Sequence, residues 1–214
     1  MVRSLALRLI QAIAFAIPVL FLNLAQAADE LPPLTQDELF DGQKLLDVQI
    51  EIGEADWKKL SAQTLSFVTA FGKGPIPDSY DYFPAEITID GRKLGSVDLR
   101  KKGFFGSMDQ DRPSLKVRVT GADKTRWIGG LDKLTLNNNK QDRAVVSQFL
   151  AYRLFQVAGL PAPRCSLAKV TVNGKSLGIY THVESVDQPF LRRTFGNDSG
   201  NLYEGVFPTD FLAG

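Results

Sequence analysis

The chain has 214 residues, with 25 Lys and Arg against 24 Asp and Glu, one His and one Cys. A near-neutral balance offers no basic footprint for nucleic acid, a lone cysteine cannot form an internal disulfide, and one Cys with one His excludes a metal centre built from those ligands. The length suits one sizeable domain with its own core.

Residues 1–27 carry Arg3 and Arg8 at the start, an apolar run over 9–24 broken by Pro18, and Ala25-Gln26-Ala27 as a small-residue cleavage site. This reads as a secretory signal peptide. A retained membrane anchor is the rival, since about sixteen apolar residues lie near the lower limit for a bilayer span, but Pro18 and the A-x-A site favour cleavage after Ala27. Cleavage leaves 23 basic residues (25 less Arg3 and Arg8) against 24 acidic ones. The expected location is secreted or periplasmic, with no nucleic-acid partner and no membrane association once the leader is removed.

Residues 28–38 are polar and Pro-containing, a flexible lead. Residues 45–52 (LLDVQIEI) alternate at Val48, Ile50 and Ile52, the pattern of a half-buried strand. Residues 54–62 read as a short helix with Trp57 and Leu60 on one face. Gly72, Gly74, Pro75 and Pro77 make 72–82 a loop. Residues 85–89 and 93–100 flank Asp90-Gly91, a strong hairpin signal. The loop KKGFFGSMDQDRP (101–113) precedes strands at 114–119 and 131–136. Residues 142–158 place Val145, Val146, Phe149, Leu150, Tyr152, Leu154, Phe155 and Val157 at helical spacing, predicting a helix with a broad buried face. Gly159 closes it and Pro161 prevents its return. Residues 166–172 and 176–183 form a second hairpin through Asn173-Gly174, and a helix starting at Ser185 or Asp187 carries Phe190, Leu191 and Phe195. Cys165, inside a strand-like apolar run, reads as a buried inert thiol. His182 reads as an exposed or satisfied strand residue, because no Ser or Cys nucleophile motif accompanies it.

Chemistry concentrates at the 101–113 loop. Gly103 and Gly106 let backbone N–H groups approach a phosphate, and a cation on the following strand can neutralise it. Lys116 is that cation, with Lys102 and Arg112 as neighbours and Ser107 in the loop. An ordinary hairpin loop and a solvated strand lysine are the commoner uses of the same residues. Asp109 and Asp111 can reach a metal, although a solvated loop is the commoner role. A glycine loop in a hairpin, a strand with Lys, an amphipathic helix and two further strands follow the order of a protein-kinase small lobe. The expected fold class is therefore α+β: a mostly antiparallel sheet packed with one main helix.

Seven segments occur in sequence: LFDGQKLLDVQIEIGEADWKKL, LRKKGFFGS, RPSLKVRV, GLDKLTLNNNKQD, LAYRLFQVAGLPAPR, VNGKSLGIYTHVE and GNLYEG. Jointly, over residues 39–211, they resemble the CotH spore-coat protein kinase family. The resemblance implies that 39–214 is the N-terminal portion of a CotH kinase-like domain, from an exported atypical kinase that uses ATP with Mg or Mn to phosphorylate a protein substrate. It implies a phosphate-binding Lys in the RPSLK segment, at Lys116, or at Arg112 where a guanidinium is not an equivalent point charge. On the helix the family commonly shows Arg-Glu before L-A-Y. Ser147-Gln148 stand there in this chain, and Gln148 can hydrogen-bond a lysine but cannot form an ion pair with it. Asn137, Asn138 and Asn139 match the family's N-N-N, open to backbone satisfaction or to ligand contact. Glu184 and Asp187 match its V-E-x-x-D and are placed to cap the next helix.

The family's D-G-x-x-x-N and W-D-x-D segments, which the resemblance links to the base and the metal ligands of phosphoryl transfer, have no counterpart in the sequence. The expectation is a small lobe without its catalytic lobe, inactive alone, with no catalytic or metal residue assigned and the missing lobe encoded downstream. The alternative is a non-catalytic secreted binding or coat-associated structural module.

Overall fold

The computed structural model describes residues 31–65, 80–119 and 127–203. The expected signal peptide, the first residues of the lead and most of the 72–82 loop lie outside them. Seven strands, β1 Leu45–Ile52, β2 Phe83–Ile89, β3 Arg92–Lys101, β4 Leu115–Val119, β5 Lys133–Asn137, β6 Cys165–Val172 and β7 Lys175–Val183, are accompanied by helices α1 Gln36–Leu39, α2 Glu54–Ala62, α3 Ser147–Val157 and α4 Gln188–Phe195.

The expected hairpins form at their expected turns. Asp90 and Gly91 have φ of 49° and 78°, and Asn173 and Gly174 have 48° and 75°. Two successive positive φ values match the right-handed twist of the flanking strands, which explains Asp-Gly and Asn-Gly there. Both turns are also stitched to β1. The Asp47 N–H donates to Asp90 Oδ1 at 2.9 Å, and the Asp90 N–H returns to the Asp47 carbonyl at 2.9 Å. The Asn173 carboxamide pairs with Ile52 as a backbone would, accepting from its N–H at 2.9 Å and donating to its carbonyl at 2.8 Å.

The strands close into a barrel in the order β1-β2-β3-β4-β5-β7-β6. Neighbours are antiparallel except at the seam, where β1 runs parallel to β6 with Leu45 opposite Leu167 and Ile50 opposite Val172. Alternation sends one side of every strand inward, and Ile50, Ile87, Leu99, Val117, Leu136 and Val170 are buried there. Each such side chain contributes about 1.5–3 kcal/mol. Leu39 of α1 and Leu60 of α2 join the same core. α1 is fixed by a capping box: Thr35 Oγ1 accepts from the Glu38 N–H, and the Glu38 carboxylate accepts from the Thr35 N–H.

This architecture corrects the expected kinase-like small lobe, in which one main helix packs on a mostly antiparallel sheet. Once β1 and β6 pair, the inner faces of the strands cover one another, so the helices add only Leu39 and Leu60 to that core and no broad sheet face is left for one main helix. α3 accordingly has no buried residue, and Leu150, Leu154 and Val157 are 58%, 67% and 81% exposed. It also starts later than the 142–158 periodicity predicts. The Asp142 carboxylate accepts from the Ser147 N–H and hydroxyl at 2.7 and 2.8 Å, and Val145 takes φ of 65°, so 142–146 is a turn rather than the first helical turn. Among the described residues no helix is long and apolar enough to cross a membrane.

Candidate functional site

β3 runs into the glycine loop, and β5 ends beside it at Asn137. On β5, Leu134 and Leu136 point inward and Thr135 and Asn137 outward. On β4, Lys116 faces outward between Arg100 of β3 and Thr135 of β5. Where this outer wall meets the start of α3, a cavity of about 410 Å³ is lined by Lys102, Ser107, Asn137, Lys140, Asp142 and Gln148 among others. The Lys102 ammonium donates to Asn137 Oδ1 at 2.7 Å, and Asn137 Nδ2 donates to Gln148 Oε1 at 2.8 Å. Burial, then repulsion from Lys116 and Arg100, pulls the Lys102 ammonium down to about 8.

Three of the sequence-predicted residues therefore share one cavity: Lys102, Ser107 and Gln148. Gly103 and Gly106 shape the loop above it. Gly103 has φ of 78°, and a Cβ there would meet Ser107 Cβ at 2.7 Å; one on Gly106 would meet Gln141 Cγ at 2.7 Å. Lys116 stands on the neighbouring strand and acts at Lys102 through its charge. Arg112 is engaged elsewhere, with its guanidinium donating to the Ile179 carbonyl and lying 5.2 Å from the centre of the Tyr180 ring.

The three asparagines divide the work of holding this corner. Asn137 orients Lys102. Asn138 is buried and donates to the Gly106 and Arg112 carbonyls at 2.9 and 2.6 Å, while its own N–H bonds Ser114 Oγ at 3.0 Å. Asn139, at φ of 53°, accepts from the Thr181 hydroxyl at 3.0 Å. Asp109 accepts from the Arg112 N–H at 2.8 Å and pairs with Lys140 at 2.8 Å; the Lys140 hydrogen bond is the main cause holding its carboxyl below the usual range.

The remaining singled-out residues are structural. Cys165 is buried, and burial pushes its thiol up to about 11. His182 is buried and stacked on Phe40 at 4.8 Å, and desolvation pulls it down to about 4. Asp187 occupies the position before α4 with no side-chain cap; its carboxylate accepts from Lys133 at 3.1 Å. Glu184, 1% exposed at the side chain, pairs with Arg164 at 2.8 Å and Arg193 at 2.6 Å. Those arginine hydrogen bonds outweigh desolvation and hold its carboxyl below the usual range.

Lys101, which the motif reading passed over, is fully buried. Its Nζ donates to the Ser61 and Gln63 carbonyls at 2.7 and 2.8 Å, capping the end of α2. Strand alternation from Val97 and Leu99 was the available signal.

The geometry defines a small mixed β-barrel with a cationic, amide-lined cavity on its outer wall, suited by its donor set to an anionic oxygen group. The family model for CotH kinase protein matches residues 99–211, and the chain belongs to that family. It is similar to the inner spore coat protein H-like protein of Bacillus subtilis (strain 168), 36% identical over 102 residues that cover 44% of this chain and 33% of the relative. It is also similar to inner spore coat protein H of the same organism, 24% identical over 123 residues, 58% of this chain and 33% of the relative. The chain thus spans about a third of the length of the curated relatives it matches.

Proposed function

We propose that this chain is the nucleotide-binding, N-terminal portion of an exported CotH-like ATP-dependent protein kinase, and that it receives nucleotide phosphate at the Lys102 cavity. The carrying observation is a largely desolvated ammonium held by an amide at 2.7 Å in a cavity of about 410 Å³. Lys102 would contact phosphate oxygens, Lys116 and Arg100 would add field, and the Gly103–Ser107 loop would shape the mouth. Phosphate oxygens fit this donor set, whose cation is a hard, compact donor. Among the described residues no group of three or more His, Cys, Asp or Glu is placed to hold a metal, and no residue here is assigned to Mg or Mn or to the transfer step.

Calorimetric titration with ATP and Mg tests the reading. Lys102→Ala should weaken binding at least about tenfold, a loss of about 1.4 kcal/mol, with Lys116→Ala losing less. No ATP binding by the unsubstituted chain, or equal binding by Lys102→Ala, overturns it. Export is checked separately, by finding a mature chain that begins at Ala28.

The names of both relatives favour a second reading, a non-catalytic coat-associated structural module. A chain that binds no nucleotide yet fractionates with an insoluble coat layer supports that reading over the first.

A further inference from the structure

Lys102 heads a chain of neutral amides: its Nζ donates to Asn137 Oδ1 at 2.7 Å, and Asn137 Nδ2 donates in turn to Gln148 Oε1 at 2.8 Å. The second bond fixes which way the Asn137 carboxamide faces. With its Nδ2 engaged by Gln148, its oxygen is turned to the ammonium; without Gln148 the amide is free to rotate. Among the described residues, the acids nearby are committed elsewhere. Asp142 accepts from the Ser147 N–H and hydroxyl and the Ala144 N–H, and Asp109 pairs with Lys140. The charged groups felt at Lys102 are Lys116 of β4 and Arg100 of β3, with Lys140 and Asp142 from the segment before α3 lining the same cavity.

We propose that Gln148 is a positioning residue that aims the Lys102 ammonium through Asn137 while leaving its charge for the bound anion to neutralise. This rests on the phosphate-binding reading above. Its consequence is that the ligand itself completes the ion pair, so that anion binding is linked to proton uptake by Lys102. Affinity should fall as pH rises above about 8, the value to which burial and Lys116 bring this amine.

The test compares the unsubstituted chain with Gln148→Glu and Gln148→Ala, both on the surface helix α3. Two readouts are taken: titration of Lys102 in the ligand-free chain, by the pH dependence of its acylation rate read by mass spectrometry, and ATP affinity by calorimetry from pH 6.5 to pH 9.5. Gln148→Glu should raise the Lys102 titration by about one unit or more, as an opposite charge does at this range, weaken ATP at pH 7 several-fold, and carry the loss of binding to higher pH. Gln148→Ala should weaken ATP several-fold with little change in the titration midpoint. An unmoved Lys102 titration in Gln148→Glu, or, where the parent binds ATP, a Gln148→Ala chain that matches it in affinity and pH profile, overturns the relay. A moved titration with no ATP binding by the parent chain overturns the phosphate reading and supports the relay.

Discussion

Lys101 and Lys102 are adjacent, yet their ammonium groups serve opposite sides of the barrel wall. Lys101 continues the inward series of Val97 and Leu99 and ends on the Ser61 and Gln63 carbonyls. Lys102 meets Asn137 on the outer side. A one-residue register slip would exchange a helix cap for an outward-facing cation.

That division separates their mutants. Lys101→Met leaves two carbonyls at the end of α2 without their donor and should cost about 1–3 kcal/mol. Lys102→Met removes a desolvated charge and should leave the melting temperature unchanged or raised while ATP binding is lost. Thermal melts beside calorimetry decide it; equal destabilisation by both would contradict the assignment.

Glu184 joins three parts of the chain: Arg164 before β6, Arg193 of α4, and through Arg164 the Gln36 side chain of α1 at 2.7 Å. Breaking a buried pair leaves an uncompensated charge, so Glu184→Gln should destabilise by about 3–5 kcal/mol. Arg193→Ala should cost less, since Arg193 is 34% exposed at its side chain and Arg164 remains. Urea denaturation of both variants measures the difference.

His182 makes stability pH-dependent. In the folded chain it stays neutral down to about 4, against an ordinary 6.5. Between those values the unfolded chain binds the extra proton, so stability rises with pH through the window and is lost as pH falls from 6.5 to 4. The loss should reach about 3 kcal/mol. Glu184, lowered from 4.5, is stabilising above its unfolded value and acts in the same sense below it. Denaturation at pH 7, 5.5 and 4 should show a slope that His182→Gln flattens; a parallel slope in that variant would remove His182 as its source.

Leu154 and Val157 are 67% and 81% exposed on α3. Leu154→Gln with Val157→Gln should leave stability within about 0.5 kcal/mol and raise solubility, because less apolar surface is offered for association. A loss of several degrees in the melt would show that these side chains pack on something in solution.

The strands were legible because alternation and the Asp90-Gly91 and Asn173-Gly174 turns are local properties, and each hairpin needs only neighbours in sequence. The seam was not legible. Leu45 meets Leu167 through two apolar strands whose composition suits many partners. The same gap misjudged what the helix packs on: apolar periodicity over 142–158 reports an amphipathic face, not what covers it, and barrel closure left Leu150, Leu154 and Val157 in solvent. At the site, the sequence pointed to Lys116 with Lys102 and Arg112 as its neighbours; that Lys102, Ser107 and Gln148 line one cavity while Arg112 turns to Ile179 depended on which way each side chain left the wall. Lys101 was missed because a lysine at an inward position reads as a surface residue unless the end of α2 is known to lie beneath it.

The parallel β1–β6 pairing sets an order of events in synthesis. β1 leaves the ribosome early, and β2 can pair with it soon afterwards, but its other edge waits for a partner roughly 120 residues further along. Until β6 and β7 emerge, the nascent sheet carries an open, apolar edge at β1, the kind of surface on which chains pair with one another. Slow translation between β5 and β6 would lengthen that exposure, and a holdase that shields β1 would shorten it.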